Sequence, residues 1–142
     1  MRTKVFAIAA ALFGAALGAW LMKTETAHAQ STGRVFELRT YTCNEGKLPD
    51  LEKRFRDHTI AIFQRHHMVS VGYWIPQDAP RSGDTLIYIL AHPSREEAKA
   101  NWAAFQADPE WQKVRADSEA NGKIVNHVDS VFMDPADFSP LK

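Results

Sequence analysis

The chain has 142 residues, of which 45% are hydrophobic, and 17 Lys and Arg residues balance 17 Asp and Glu residues. The first 29 residues, which we interpret below as a leader, contain three of the basic residues and one acidic residue. Without them 14 basic and 16 acidic residues remain, a net charge of −2. This charge excludes the concentrated positive surface that nucleic-acid-binding proteins present to a polyanion.

The leader has the three parts of a secretory signal peptide. A positively charged start precedes an uncharged run at 5–22 that is rich in Ala, Leu and Phe, and Ala27 and Ala29 form the small-x-small pattern of a cleavage site. We predict cleavage after Ala29, a short linker at 30–33 and one domain at 34–140, located in the periplasm or secreted. The apolar run approaches the ~20 residues that span a bilayer, so a retained anchor is the alternative. After cleavage no stable membrane association is expected.

Cys43 is the single cysteine of the chain. The domain therefore has no internal disulfide and depends on packing for its stability. A buried, small apolar role for Cys43 is favoured over a reactive thiol or an intermolecular bridge.

Residue patterns predict four strands and three helices in the domain. In chain order they are a strand at 34–41, a helix from 47 to about 66, strands at 68–75 and 85–91, a helix that begins after Ser94, a helix from Pro109 to about Glu119, and a strand at 128–133. Ser94 and Glu97 form a capping box, and Asp108 provides an N-cap before Pro109.

The faces of two elements follow from their periodicity. One apolar stripe of the first helix is predicted to contain Leu51, Phe55, Thr59, Ile62 and His66. The second strand alternates, which predicts one face made of Val69, Val71, Tyr73 and Ile75.

The element order β-α-β-β-α-(α)-β predicts an α+β fold, the ferredoxin-like split βαβ with a four-stranded antiparallel sheet. Helices cover one face of such a sheet, and nothing else in the chain is expected to cover the other. The strand at 85–91 is nevertheless apolar on both sides, and Trp74 adds to the uncovered surface. An exposed apolar sheet face of this size predicts a homodimer.

Several short segments, taken together and in order, resemble the NIPSNAP family. They are Glu37-Leu-Arg-Thr-Tyr41, Gly46-Lys47, His58, Val71-Gly-Tyr-Trp74, Trp102-x-x-Phe105-x-x-Asp108-Pro-Glu-Trp111, Ser118-Glu119 and Asp137-Phe-Ser-Pro140. The resemblance implies a dimeric α/β barrel, in which two ferredoxin-like sheets lie face to face. The wider group includes cofactor-free monooxygenases, haem-degrading enzymes and small-ligand binders. Mitochondrial or trafficking roles of eukaryotic relatives do not transfer to a single domain with an export signal.

Five residues are candidates for a site. His58 lies at the edge of the helical stripe and, facing a pocket between helix and sheet, would act as an acid, a base or an axial ligand. Arg39 and Tyr41 share one face of the first strand with Glu37, so they would bring polar groups into an apolar cleft. Tyr73 and Tyr88 would line it, because a buried phenol needs a partner for its hydroxyl.

Each candidate also has a structural interpretation. His58 is equally well explained as a core histidine with a satisfied hydrogen bond, and Glu37 and Arg39 as a same-face ion pair at a sheet edge or dimer contact. Trp102 and Trp111 are best explained by core packing.

The sequence indicates no metal site and calls for no cofactor. It contains no Cys-x-x-Cys, His-Glu-x-x-His, acidic loop or Gly-rich phosphate loop. Adjacent His66 and His67 point about 100° apart on a helix, so they cannot chelate one ion. A haem held by one histidine is the one alternative that this pattern leaves open.

Three functions remain. The first is a homodimer that binds a small apolar or aromatic molecule. The second is an enzyme of the same architecture, a cofactor-independent monooxygenase or isomerase or a haem-degrading enzyme, with His58 as base or ligand and with Arg39 and Tyr41 orienting the substrate. The third is a protein-interaction module whose dimer face is its whole function.

Overall fold

The computed structural model describes residues 33–142. The predicted signal peptide at 1–29 and most of the linker at 30–33 lie outside the described residues. Within 33–142, no helix combines the length and the apolar character needed to cross a membrane.

Four antiparallel strands form one sheet in the order β2-β3-β1-β4. They are β1 (Val35–Cys43), β2 (Val69–Trp74), β3 (Thr85–His92) and β4 (Val125–Met133). The order places the first and third strands in the centre, as the predicted ferredoxin-like fold requires. The predicted α+β class and sheet are therefore confirmed, with β4 beginning three residues earlier than expected.

The first predicted helix is continuous but contains a wider turn. It consists of α1 (Leu48–Arg54), a π-helical turn at Phe55–Thr59, and α2 (Ile60–Arg65). A π turn displaces the regular hydrogen-bond ladder, and the Thr59 hydroxyl donates to the Arg54 carbonyl at 3.2 Å. The predicted stripe is confirmed, because Leu51, Phe55, Thr59 and Ile62 are buried, with His66 partly buried at its end.

The other helices begin where the capping residues predicted. A 3₁₀ turn at Arg81–Gly83 precedes β3, and α3 (Arg95–Ala107) and α4 (Pro109–Ser118) follow it. The Ser94 hydroxyl accepts a hydrogen bond from the Glu97 backbone N–H at 3.1 Å. The Asp108 carboxylate accepts from the backbone N–H of Glu110 at 2.8 Å and so caps α4.

Strand β2 departs from the predicted alternation. Val69 pairs with Ala91 and Tyr73 with Tyr88, with a register shift between Ser70 and Gly72. Since Ala91 and Tyr88 are three residues apart in β3, they lie on opposite faces. The prediction that Val69 and Tyr73 share a face is therefore wrong, because a bulge inserts one residue between them.

The core lies between the helices and one face of the sheet. Its cluster joins residues of α1, α2, α3 and α4 to every second residue of β1 and β3, among them Leu51, Phe63, Phe105, Trp111, Cys43, Leu86, Tyr88 and Leu90. We call this side of the sheet the helix side. Cys43 is a buried, unpaired thiol, as expected.

The opposite face of the sheet, which we call the open face, carries exposed apolar residues. Trp74 is 49% exposed and Val131 is 52% exposed. The expectation that nothing in the chain covers this face is partly wrong, because the segment 134–141 runs over it. That segment buries Phe36 and, with Phe36 and Ile89, lines an apolar cavity of about 400 Å³.

Candidate ligand-binding site

A buried carboxylate, Glu37, organises the helix side of the sheet. Its Oε1 accepts hydrogen bonds from Arg39 Nη1 and Ser130 Oγ, both at 2.7 Å. Its Oε2 accepts from Trp102 Nε1 at 2.7 Å and lies 3.1 Å from His92 Nε2. Two donors to each oxygen satisfy the carboxylate, so Glu37 is a positioning residue rather than a free base.

Strand register brings these donors together. Arg39 lies opposite Ser130 in the β1–β4 pair, two residues along β1 from Glu37 and on the same face. His92 is the last residue of β3, next to the start of β1. Trp102 comes from α3, which packs over this side of the sheet. Three strands and one helix therefore meet at one side chain.

The hydrogen bonds set the charge of Glu37. Burial by itself would raise the pKa of this carboxyl group, but the hydrogen bonds from His92, Trp102, Ser130 and Arg39 outweigh burial and lower its pKa from 4.5 to about 2. Glu37 is therefore a carboxylate at neutral pH, and the ion pair with Arg39 is formed.

Glu37 and two aromatic rings hold the Arg39 side chain in place, and some of its N–H donors have no hydrogen-bond partner among the described residues. Its guanidinium lies 4.2 Å from the centre of the Trp102 ring and 5.6 Å from that of Tyr41. The side chain is 17% exposed, and its Nε is buried with no hydrogen-bond partner in the part of the chain that the structure describes. Burial opposes the charge, yet Tyr41, Tyr88 and Glu37 hold the pKa of Arg39 above its usual range. Arg39 is thus a fixed cation that can bind an oxygen ligand.

Three tyrosines form a row across the sheet beside Arg39. The Tyr88 hydroxyl donates to the Tyr41 hydroxyl at 3.0 Å, which leaves the Tyr41 proton free for another acceptor. Tyr73 stacks on Tyr88 with ring centres 5.6 Å apart, and its hydroxyl lies 2.5 Å from Ser70 Oγ. Burial raises the pKa of Tyr88 well above its usual value and also raises the pKa of Tyr73, so these two phenols stay protonated at neutral pH.

The Arg39 end of the row is open to solvent. Val128, which pairs with Tyr41 and shares its face, is 38% exposed, and Ser130 is also exposed. The helix side of β4 is therefore uncovered beside Arg39, Tyr41 and Trp102, with the apolar Val128 and the polar Ser130 exposed there; we call this surface the recess. An apolar surface next to a few converging polar groups is a candidate small-molecule site.

The structure brings some of the predicted site residues together and separates others. Arg39 and Tyr41 lie on the same face of β1 and adjoin the recess. Tyr88 is fully buried behind Tyr41 and is connected to the recess only by its hydrogen bond to the Tyr41 hydroxyl. Tyr73 lies at the far end of the row, where it lines a separate groove of about 430 Å³ with Phe55.

His58 does not face the sheet. It is exposed and lines a groove of about 500 Å³ beside α4, together with Arg54 and Ser118. The expected orientation toward a pocket between helix and sheet is wrong, because the π turn is wider than an α turn and carries His58 away from the buried stripe.

Sequence reasoning missed three members of the Glu37 network. His92 and Ser130 are isolated polar residues in apolar or alternating strands, and only the strand register brings them to Glu37. Trp102 was assigned to the core, against which it does pack. Its indole N–H was the available signal, because a buried indole needs an acceptor.

No metal site is evident among residues 33–142, where no three His, Cys, Asp or Glu side chains are grouped to hold an ion.

The sheet order and the one-sided helices define the ferredoxin-like subunit of the dimeric α/β barrel class. A family model described as NIPSNAP matches residues 36–140. The chain belongs to the NIPSNAP family. No functionally curated protein is detectably similar to it.

Solved structures agree with this assignment. A NIPSNAP family protein of unknown function from Agrobacterium tumefaciens is 27% identical, with a TM-score of 0.68 over 79% of this chain and 96% of that chain. An uncharacterised NIPSNAP domain protein from Burkholderia xenovorans is 25% identical, with a TM-score of 0.63 over 75% and 98%. A cofactor-independent oxygenase from Streptomyces nogalater has a TM-score of 0.50 at 13% identity over 75% and 97%, a likeness of fold alone.

Proposed function

We propose that this protein is a homodimer that binds a small aromatic or apolar molecule carrying one carbonyl or oxyanion. The observation that carries the proposal is the Arg39–Tyr41 pair. Glu37 and Trp102 fix the Arg39 guanidinium while leaving donors unused, and Tyr88 leaves the Tyr41 proton free. Two convergent donors at an apolar recess suit one oxygen atom on an otherwise apolar ligand.

The aromatic character of the recess supports a planar ligand. Trp102 and Tyr41 both lie close to the Arg39 guanidinium, and Val128 supplies an exposed apolar surface next to Tyr41. An aromatic ring laid on Val128 would place a ring oxygen or a carboxyl group at Arg39. Such stacking adds to the burial of apolar surface.

The open face supports the homodimer. Trp74 and Val131 lie at opposite edges of that face and are about half exposed. A second copy laid face to face would remove both from water, and a two-fold arrangement uses the same surface on each copy. The ligand recess lies on the other side of the sheet, so binding and assembly use separate surfaces.

A second candidate is an enzyme, a cofactor-independent oxygenase or isomerase. The donation from Tyr88 to Tyr41 favours it, because a tyrosine that receives a hydrogen bond and stands beside a cation can stabilise a developing oxyanion. This reaction needs a base, and His58 lies in a different groove. We therefore rank binding ahead of catalysis.

We also propose that the protein is exported and that cleavage leaves Gln30 as the first residue. The sequence pattern at 1–29 supports this proposal. The mass of the protein isolated from a host periplasm tests it, because cleavage after Ala29 and a retained leader give different masses.

Native mass spectrometry of gently purified mature protein tests the proposed function. We expect a dimer with a reproducible additional mass. Tyr41→Phe, which removes one donor, should lower retention of that ligand about tenfold, the effect of losing a hydrogen bond to a charged or polar oxygen. Tyr73→Phe is the matched control, since it removes the same atom at the far end of the row.

The outcomes separate the three functions. An empty dimer, which also fails to bind substituted phenols and benzoates in titration, contradicts the binding proposal and favours the interaction module. Turnover of a bound molecule that is lost in Tyr41→Phe and kept in His58→Ala supports the enzyme with Arg39 and Tyr41 as its centre. Turnover lost in His58→Ala instead would move the site to the groove beside α4.

A further inference from the structure

The segment 134–141, which we call the tail, divides the open face into a covered end and a bare end. The tail lies over Phe36 and Ile89, toward the end of the sheet where β1 begins and β3 ends. Trp74 pairs with Ile87, which is nearer the start of β3, so Trp74 lies toward the opposite end. There the face is open, and Trp74 is 49% exposed.

The tail holds one aromatic side chain in water. Phe138 lies at the tip of a turn, in which the Ser139 N–H donates to the Ala136 carbonyl at 2.9 Å. The Lys142 ammonium closes the turn, because it donates to the carbonyls of Ala136 and Asp137 at 2.6 and 2.8 Å. Phe138 is 87% exposed, although the tail lines an apolar cavity. A large aromatic side chain held outward on a closed turn suits the role of an interface anchor.

The bare end offers an aromatic surface to such an anchor. Gly72 and Trp74 pair with Ile89 and Ile87, so both lie on the open face. A Cβ atom at Gly72 would lie 2.7 Å from Trp74 Cη2, because the indole ring extends back over the glycine. The ring therefore occupies the space above Gly72, and its exposed part is left for a contact from outside.

The sheet face alone is small for a stable dimer. With strands about 4.8 Å apart and a rise of about 3.3 Å per residue, four strands of about eight residues present a flat area of roughly 500 Å². Stable interfaces bury roughly 800 Å² on each partner. Part of the face already lies under the tail, so a face-to-face dimer needs the outer surface of the tail as well. An aromatic side chain adds roughly 150–250 Å².

We propose that each protomer seats Phe138 on the bare end of its partner's open face, against Trp74 and Ile87 of the partner subunit. A twofold axis that crosses the strands brings the covered end of one sheet over the bare end of the other, and the contact then occurs twice. An axis along the strands would set tail against tail and hold the sheets apart. The inference rests on the proposed homodimer and specifies its arrangement and its anchor.

Sedimentation equilibrium of three variants tests the anchor. Phe138→Ala should raise the dimer dissociation constant about a hundredfold or more, because an anchor lost from a symmetric dimer is lost twice. Phe138→Leu keeps an apolar side chain and should fall between Phe138→Ala and the wild type. Val128→Ala, at an exposed residue on the helix side, is the control and should leave the constant unchanged. Circular dichroism should show all three variants folded.

Gly72→Ala tests the receiving surface. The added methyl group would displace the Trp74 ring from its place over the strand, so this variant should also weaken the dimer. The double variant with Phe138→Ala should lose less than the product of the two single effects, since both substitutions disturb one contact. Effects that multiply in full would contradict a contact between Phe138 and Trp74.

Cross-linking with a short bismaleimide determines the orientation. Cys43 is buried and the pKa of its thiol is raised to about 11, so the wild type is the unreactive control. Asp137→Cys places a thiol on the tail, and Thr42→Cys places one at the bare end of β1. Neither variant alone should give a cross-linked dimer, whereas the double variant should. A dimer cross-linked in Asp137→Cys alone, or none in the double variant, overturns the arrangement.

The outcomes separate this inference from the proposed function. A wild type that is monomeric at micromolar concentration contradicts the homodimer itself, and this inference with it. A dimer whose dissociation constant is unchanged in Phe138→Ala and in Gly72→Ala overturns the anchor alone. Ligand retained per protomer should be the same in Phe138→Ala as in the wild type, because the recess lies on the other side of the sheet.

Discussion

At the scale of single residues, Glu37 determines what its neighbours can do. Four donors occupy both oxygens of Glu37, so no acceptor is left for a ligand. The same hydrogen bonds hold Arg39 and His92 in place. A carboxylate with this many partners is costly to disrupt, because the donors left behind are buried. Its importance is therefore one of position, and it needs no contact with a ligand.

Replacing Glu37 by Gln should destabilise the protein by about 3–5 kcal/mol at pH 7, the range for breaking a buried charged network. The amide offers one acceptor oxygen, and its N–H₂ group would face two donors. Urea unfolding at pH 7 measures the difference. Glu45→Gln, at an exposed carboxylate, is the control and should change the free energy of unfolding by less than about 0.5 kcal/mol.

The same carboxylate predicts the acid sensitivity of the wild type. The pKa of Glu37 is lowered from 4.5 to about 2 in the folded protein, so the stabilisation is complete above pH 4.5 and is lost as the pH falls toward 2. The contribution is about 3 kcal/mol at one pKa unit per 1.36 kcal/mol. Unfolding free energies between pH 5 and pH 2 should fall less steeply in Glu37→Gln. Parallel curves would contradict the network.

The face on which a candidate residue lies could be predicted from the sequence where one strand's alternation was enough. Arg39 and Tyr41 follow from the period of β1 and adjoin the recess. His92 could not be found this way, because its approach to Glu37 depends on the register between β1 and β3. The orientation of His58 depends on a π turn, and the spacing of the apolar residues in the sequence does not reveal that turn.

At the scale of elements, local signals predicted boundaries well when a capping residue was present. Helices α3 and α4 begin after Ser94 and Asp108 because each side chain accepts a backbone N–H of the first turn. The face assignment of β2 failed, because the alternation of Val69 and Tyr73 continues through a bulge that only the pairing with β3 reveals.

The cap of α3 gives a test at this scale. Ser94→Ala removes the acceptor for the Glu97 N–H and should lower the free energy of unfolding by about 1 kcal/mol. Ser94→Asp keeps an acceptor and should stay within a few tenths of the wild type. Equal losses in both variants, measured by chemical denaturation, would mean that the cap contributes nothing and that the position is sensitive for another reason.

At the scale of the whole molecule, the two faces of β4 predict different behaviour. Val131 lies on the open face and Val128 on the helix side, and both are substantially exposed. Val131→Lys should therefore fold normally but convert the proposed dimer to a monomer, because it places a charge in the interface. Val128→Lys should remain a dimer. Light scattering after size exclusion measures both masses, and a dimeric Val131→Lys would contradict face-to-face assembly.

The Glu37 network also constrains how sequences with this fold can vary. Four side chains from three strands and a helix are matched to one carboxylate, and none of them keeps its partner if position 37 loses its acid. A relative with an apolar residue at this position would have to replace the arginine, the histidine and the serine as well. The acid and its donors should therefore be inherited together. A substitution at one of these positions should be accompanied by substitutions at the others.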